Sequence, residues 1–297
     1  MNKLKIGYFA DGPWAHRAFE KISDDQRFKI QFICVRNDSG DKVLEQYAAD
    51  NSIPLLRHPK VSSSIFLDSI ARYNCDIFVS MSFNQILKKN FIDFPPLKTI
   101  NCHAGKLPFY RGRNILNWVL INDEKEFGIT VHYVDEGIDT GDIILQRTYP
   151  ISDEDTYDTL LKISYSECAN TLYDALGMIY NNDVQVIKQH ALHPVGFYCT
   201  QRKEGDEIIN WDSTSREIFN FVRAVSNPGP MAQTSLRGKT MKINRVSMIK
   251  DAPIYKMHTG VVIGKNSKHF LVKTIDKVIS VEEYEYDGVI HIGDRLI

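Results

Sequence analysis

The chain predicts an α/β fold: a doubly wound, mainly parallel sheet followed by a smaller, mainly antiparallel β-rich unit. Three observations carry this. Over residues 5–103, short apolar runs of strand length alternate with segments of helical periodicity. The rhythm then changes to two strand-like runs and one long amphipathic stretch. Beyond residue 205 a single helical segment precedes strand-like alternation. At 297 residues the chain can bury two cores.

The elements follow in order. Residues 5–10 form a short apolar run suited to a buried parallel strand, broken by Asp11-Gly12-Pro13. A helix is predicted over 14–22, with Asp11 or Gly12 near its N-cap. Strands at 29–35, 53–56 and 76–81 alternate with helices at 43–50 and 62–73. A turn or short helix at 85–91 leads to a fifth strand at 99–103. A helix at 114–121, strands at 128–134 and 142–150, a helix at 153–180 and a strand at 184–190 complete the first unit. Pro194, Gly196, Gly205 and a cluster of charges suit a connection. The expected domains are therefore residues 1–195 and an OB-like β domain at 205–297. The latter holds a helix at 215–225 and strands at 240–246, 259–263, 269–274 and 278–285.

Composition narrows the function. A net charge of −1 gives no global bias toward nucleic acid or membrane. The start carries no signal-peptide pattern and no window has transmembrane length, so a cytoplasmic protein without membrane attachment is expected. The 5 cysteines are widely spaced with no Cys-x-x-Cys, so neither a disulfide framework nor a metal is expected. The first strand–helix turn has one glycine where a dinucleotide fingerprint needs three, and no Walker A, His-Glu-x-x-His or Gly-x-Ser-x-Gly motif occurs.

One stretch, residues 99–145, concentrates polar chemistry at strand ends. Asn101 and His103, two apart on a strand, point to one face. An amide can donate to a developing oxyanion and an imidazole can move a proton near neutral pH. A nearby carboxylate would orient the imidazole and favour its charged form, and Asp139 in the following acidic turn is the candidate. Cys102 points the other way, which disfavours a metal site with His103 and Asp139.

The segment Asn101-x-His103…Leu107-Pro108-x-Tyr110-Arg111-Gly112…Asn117-Trp118…Gly128-Ile-Thr-Val-His132…Asp139-Thr-Gly-Asp142 resembles the signature of folate-dependent formyltransferases. These include methionyl-tRNA formyltransferase, glycinamide ribonucleotide transformylase and the amino-sugar N-formyltransferases. The resemblance implies a Rossmann-like catalytic domain, Asn101, His103 and Asp139 as the catalytic trio, and 10-formyltetrahydrofolate as formyl donor. It places the pterin against the backbone of Gln85, Ile86 and Leu87 and under the turn containing Asp135, Glu136 and Gly137. Trp14, Tyr110, Arg111 and Arg113 become candidates for acceptor binding, the arginines through phosphate or carboxylate groups.

The acceptor divides the family. Methionyl-tRNA formyltransferases usually carry a basic Pro/Gly-rich insertion after the second strand. Here that place is the short run Val35-Arg-Asn-Asp-Ser-Gly-Asp-Lys42, and the usual His-Gly-Ser-Leu-Leu-Pro is His103-Ala-Gly-Lys-Leu-Pro108. Both favour an amino-deoxysugar acceptor, nucleotide-linked, serving surface-glycan (O-antigen) synthesis. The tail points toward tRNA: Trp211…Arg223-Ala…Asn227-Pro-Gly-Pro230 resembles the tRNA enzyme's C-terminal module, and residues 236–280 hold ten Lys/Arg against two Asp/Glu. Formyltetrahydrofolate hydrolase, with water as acceptor, is a further alternative, and a homodimer is compatible with the sequence.

Overall fold

A computed structural model describes residues 2–297. The chain forms two compact units. The first takes in residues up to Gly112 together with Phe127–Tyr149 and Lys162–Cys199; the second comprises Arg113–Glu126, Pro150–Leu161 and Thr200–Ile297.

In chain order the first part contains β1 (Leu4–Ala10), α1 (Gly12–Ser23), β2 (Phe28–Val35), α2 (Lys42–Asp50), β3 (Leu55–Arg57), α3 (Ser64–Ala71), β4 (Ile77–Met81), α4 (Lys89–Ile92) and β5 (Thr99–His103). Then come β6 (Arg111–Gly112), α5 (Ile115–Ile121), β7 (Glu126–Tyr133), β8 (Ile143–Pro150), α6 (Tyr157–Tyr180), α7 (Gln189–Leu192) and β9 (Tyr198–Cys199). The main sheet has the order β3-β2-β1-β4-β5-β7-β8. Strands β1 to β5 pair in parallel, whereas β7 runs antiparallel to β5.

The hydrophobic runs explain the strands. β4 is buried at every position and β1 nearly so, as in a sheet covered on both faces. Phe9, Phe32, Phe78 and Phe91 meet edge-on or tilted in one core, each burial contributing about 1.5–3 kcal/mol. The helices start where polar side chains cap them: Asp41 accepts from Val43 and Leu44 N–H, and Ser63 from Phe66 N–H.

Where sequence and structure differ, local pairing decides. The strand expected at 184–190 is only an isolated bridge between Ile143 and Ile187, after which the chain turns into α7. Just beyond the bridge, the Gln189 side chain bonds backward to the main chain at Asp139 and Gly141. The two-residue pair β6–β9 is too short to leave a periodic signal.

The second unit is built on α8 (Ser215–Val225) and the antiparallel sheet β10-β11-β14-β13-β12. Its strands are β10 (Ala232–Leu236), β11 (Lys239–Met248), β12 (Val262–Lys265), β13 (Phe270–Lys273) and β14 (Val278–Glu285). Thr214 and Glu217 form a capping box at the start of α8, worth about 1 kcal/mol. The apolar face of α8 (Ile218, Val222, Val225) packs with Met241, Ile243, Val272 and Ile279. β10 was not expected from the sequence, and β12 lies later than the predicted 259–263.

Candidate active site

β5 and β7 set the site through their register. Asn101 stands opposite His132 and His103 opposite Thr130. Asn101 and His103 share one face, while the Cys102 thiol points away and donates to Cys168 O, 3.5 Å away. The structure therefore brings Asn101, His103 and Asp139 together and adds His132, to which the sequence reading assigned no role.

His103 is buried and held from its own loop. Its Nε2 lies 2.7 Å from Tyr110 O. A carbonyl only accepts, so Nε2 carries the proton and Nδ1 faces Asp139. The loop between them must be thin at Gly105, where a Cβ would overlap both His103 Nε2 and Tyr110 O. Thr130 Oγ1 donates to Gly105 O at 2.7 Å, and Gln146 Nε2 donates to Leu107 O at 2.9 Å and to Thr130 Oγ1 at 2.8 Å. The imidazole thus has a preset orientation.

Asp139 sits in the left-handed region, with φ 54°. Its Oδ2 lies 3.6 Å from His103 Nδ1 and accepts from Gly112 N–H at 2.9 Å; its Oδ1 lies 3.5 Å from His132 Nε2. Burial by itself would raise the Asp139 carboxyl. The facing imidazoles of His103 and His132 and the Gly112 N–H outweigh it and hold the group well below the usual carboxylate range. His132 donates from Nδ1 to Tyr133 O at 2.8 Å, leaving Nε2 beside the Asn101 amide nitrogen at 3.3 Å. Alternation along β7 puts His132 on the same face as Thr130, but only the register with β5 places it beside Asn101.

The other predicted residues separate. Gln85 uses its side chain to hold its own loop, accepting from Val61 N–H and donating to His58 O. Ile86 is exposed and Leu87 buried. Asp135 braces the turn by accepting from Gly137 N–H and Thr140 Oγ1. Asp135 and Glu136 line a cleft of about 640 Å³ with Ile92, Leu97, Val134, Lys89 and Lys98. Trp14 packs edge-on against Tyr165 and donates to Ser164 Oγ. Tyr110 contributes its carbonyl to His103 and its ring to an edge contact with Phe197. Arg111 is drawn to Gln189 Oε1, and Arg113, in the second unit, to Gln201 Oε1.

An amide donor, two imidazoles and an ionised carboxylate around one strand end can stabilise an oxyanion and move a proton. Residues 9–176 match the formyl transferase family, and residues 202–290 match the formyl transferase C-terminal domain. The chain belongs to the formyl transferase family. As a formyl transferase it is an enzyme of one-carbon group transfer, and the resemblance seen in the sequence is borne out.

Two formyl transferase relatives are methionyl-tRNA formyltransferases. That of Clostridioides difficile (strain 630) is 32% identical over 290 residues, 95% of this chain and 92% of its own length. That of Syntrophus aciditrophicus (strain SB) is 37% identical over 196 residues, 66% and 62% of the two chains. Among solved formyl transferases, WlaRD, a sugar 3N-formyl transferase crystallised with dTDP and 5-N-formyl-THF, matches with TM-score 0.70 and 25% identity over 95% of this chain and 98% of its own.

Proposed function

We propose that the protein transfers a formyl group from 10-formyltetrahydrofolate to the amine of a nucleotide-linked amino-deoxysugar, in the cytoplasm, for surface-glycan synthesis. The loop between β2 and α2 carries the choice of acceptor. It is short, and its one arginine is turned inward: Arg36 donates to Ser82 O and lies 3.3 Å from Asp11. Asp41, at the loop's end, caps α2 and lies 2.7 Å from His16. A loop so neutralised offers little to an RNA backbone. The likeness to WlaRD over nearly the whole length of both chains supports the same acceptor class. Among the described residues no helix is long and apolar enough to cross a membrane.

The residues fit the chemistry. Bound 10-formyltetrahydrofolate supplies an electrophilic formyl carbon. The Asp135–Glu136 turn, close in sequence to Asp139, suits a flat, amide-rich ring, and Lys89 and Lys98 in the cleft beside that turn suit carboxylates. The Asn101 amide donates to the oxygen on which negative charge develops as the amine attacks. Asp139 and His103 Nδ1 together receive the amine proton and return one to the leaving nitrogen.

A methionyl-tRNA acceptor is the second reading. The 32% identity to the Clostridioides difficile enzyme over 95% of this chain favours it. One assay tests both: enzyme and 10-formyltetrahydrofolate with a panel of amino-sugar nucleotides, with methionylated initiator tRNA, and with neither. Formylation of a sugar nucleotide is expected. Formylation of the tRNA alone would replace the sugar reading, and donor consumption without any amine would indicate a hydrolase.

A further inference from the structure

Gln189 is the first residue of α7 and is 3% exposed. Its amide has its hydrogen-bonding capacity filled. Nε2 donates to Asp139 O and to Gly141 O, each at 2.8 Å. Oε1 accepts from Arg111 Nε at 3.1 Å and from Arg111 Nη2 at 2.6 Å. Carbonyl acceptors on one side and guanidinium donors on the other leave one orientation for the amide. Arg111 lies over the Tyr198 ring, 5.4 Å from its centroid, and its N–H donates to Phe197 O at 3.2 Å.

These bonds converge on Asp139 from two directions. Arg111 and Gly112 are neighbours in β6. Gly112 N–H holds the Asp139 carboxylate, while Arg111, through Gln189, holds the Asp139 main chain. Asp139 needs both grips. The Asp139 backbone sits in the left-handed region, and the next turn of chain is confined because a Cβ at Gly141 would overlap Tyr133 O. Without the Gln189 amide, this side of the turn loses the hydrogen bonds to Asp139 O and Gly141 O, and the carboxylate would drift from its places beside His103 and His132.

We infer that Gln189 is a positioning residue for formyl transfer, fixing the Asp139 turn so that the carboxylate faces both imidazoles, and that Arg111 serves the reaction through Gln189. This rests on the role of Asp139 proposed above. The full-length enzyme is assayed with 10-formyltetrahydrofolate and whichever acceptor it formylates. The variants are Q189A, Q189E, R111M, D139A and the double variant Q189A/D139A. Q189E keeps the shape and the acceptor for Arg111 but loses both donors.

The expected result is a fall in kcat of about 30-fold for Q189A and Q189E, with KM for both substrates within twofold, and a smaller fall for R111M. In the D139A background, Q189A should add nothing further, which a merely structural role would not produce. Full kcat in Q189A with an inactive D139A would overturn the role of Gln189 and leave that of Asp139 intact. Full activity in D139A would overturn the Asp139 reading and the inference with it. Should Q189A fail to fold by circular dichroism, Q189E and R111M decide: unchanged kcat in both sinks the proposal.

Discussion

Asn101 stands directly across the β5–β7 ladder from His132, its amide nitrogen 3.3 Å from the imidazole Nε2. Because His132 donates from Nδ1 to Tyr133 O, its neutral form has Nε2 free to accept, and the Asn101 NH₂ is the donor. One amide hydrogen is thereby fixed and the other is aimed by it. Asn101→Ala is expected to lower kcat about 10²–10³-fold with little change in KM, the cost of losing one preorganised oxyanion donor. His132→Leu removes the support of the Asn101 amide and a neighbour of the Asp139 carboxylate but no oxyanion donor, and is expected to cost less, about tenfold. Steady-state kinetics on both variants check the order; equal or reversed losses would count against this division of roles.

Gly105 gives a sharper steric test. A Cβ there must displace either the His103 imidazole or the Tyr110 carbonyl that holds it. Gly105→Ala is expected to lower kcat by about 10²-fold, the order that follows from an ångström-scale misplacement. Thermal melting should show a folded protein, since the main sheet does not depend on this loop. A variant with unchanged kcat would show that the His103 orientation is not critical.

Much of this site is legible in the sequence, and the reason is local. Asn101 and His103 lie two residues apart on one strand, so strand geometry alone puts them on one face. Asp139 is found as the acidic residue of a Gly-broken turn. His132 escapes because its relation to Asn101 is a register, which two separate strands do not declare before they pair. Gln189 escapes for a similar reason. It lies in an apolar, strand-like stretch with Val184, Val186 and Ile187, and its contact with a turn fifty residues earlier is not written in that local pattern. Likewise β10 follows directly on Asn227-Pro-Gly-Pro230, whose turn signal masks the strand start. Local patterns survive in the sequence, whereas long-range pairings do not.

The Asp139 carboxyl also makes a statement about acid stability. Its value in the folded protein is held below the ordinary one, despite burial, by His103, His132 and the Gly112 N–H. The ionised form therefore stabilises the fold in full above the unfolded pKa of about 4, and that contribution is lost as pH falls toward the depressed native value. Asp139→Asn lacks it. Melting temperatures of wild type and variant are expected to differ most above about pH 5 and to converge below about pH 4. A gap that is constant with pH, or widens in acid, would contradict the sign.

The basic second unit bears on the acceptor. Its ten Lys/Arg between residues 236 and 280 look like an RNA surface in sequence. In the structure several are matched by acids from outside that window. Arg237 pairs with Asp294, Lys239 lies 3.4 Å from Asp287, and Arg245 contacts Glu282 and Glu283 at 3.2 and 3.1 Å. Lys273 is buried, donates to Thr274 O at 2.6 Å and lies over the Tyr255 ring, with its ammonium pushed down by desolvation. The remaining positive potential rests largely on exposed side chains such as Lys250, Lys256 and Lys268. Reversing these three together (K250E, K256E, K268E) is expected to leave formylation of an amino-sugar nucleotide within twofold, with KM nearly independent of added salt. A polyanionic acceptor behaves otherwise, since each lost phosphate contact weakens binding and flattens its salt dependence. A KM rise above tenfold that varies with ionic strength would move the acceptor from a small sugar nucleotide to RNA.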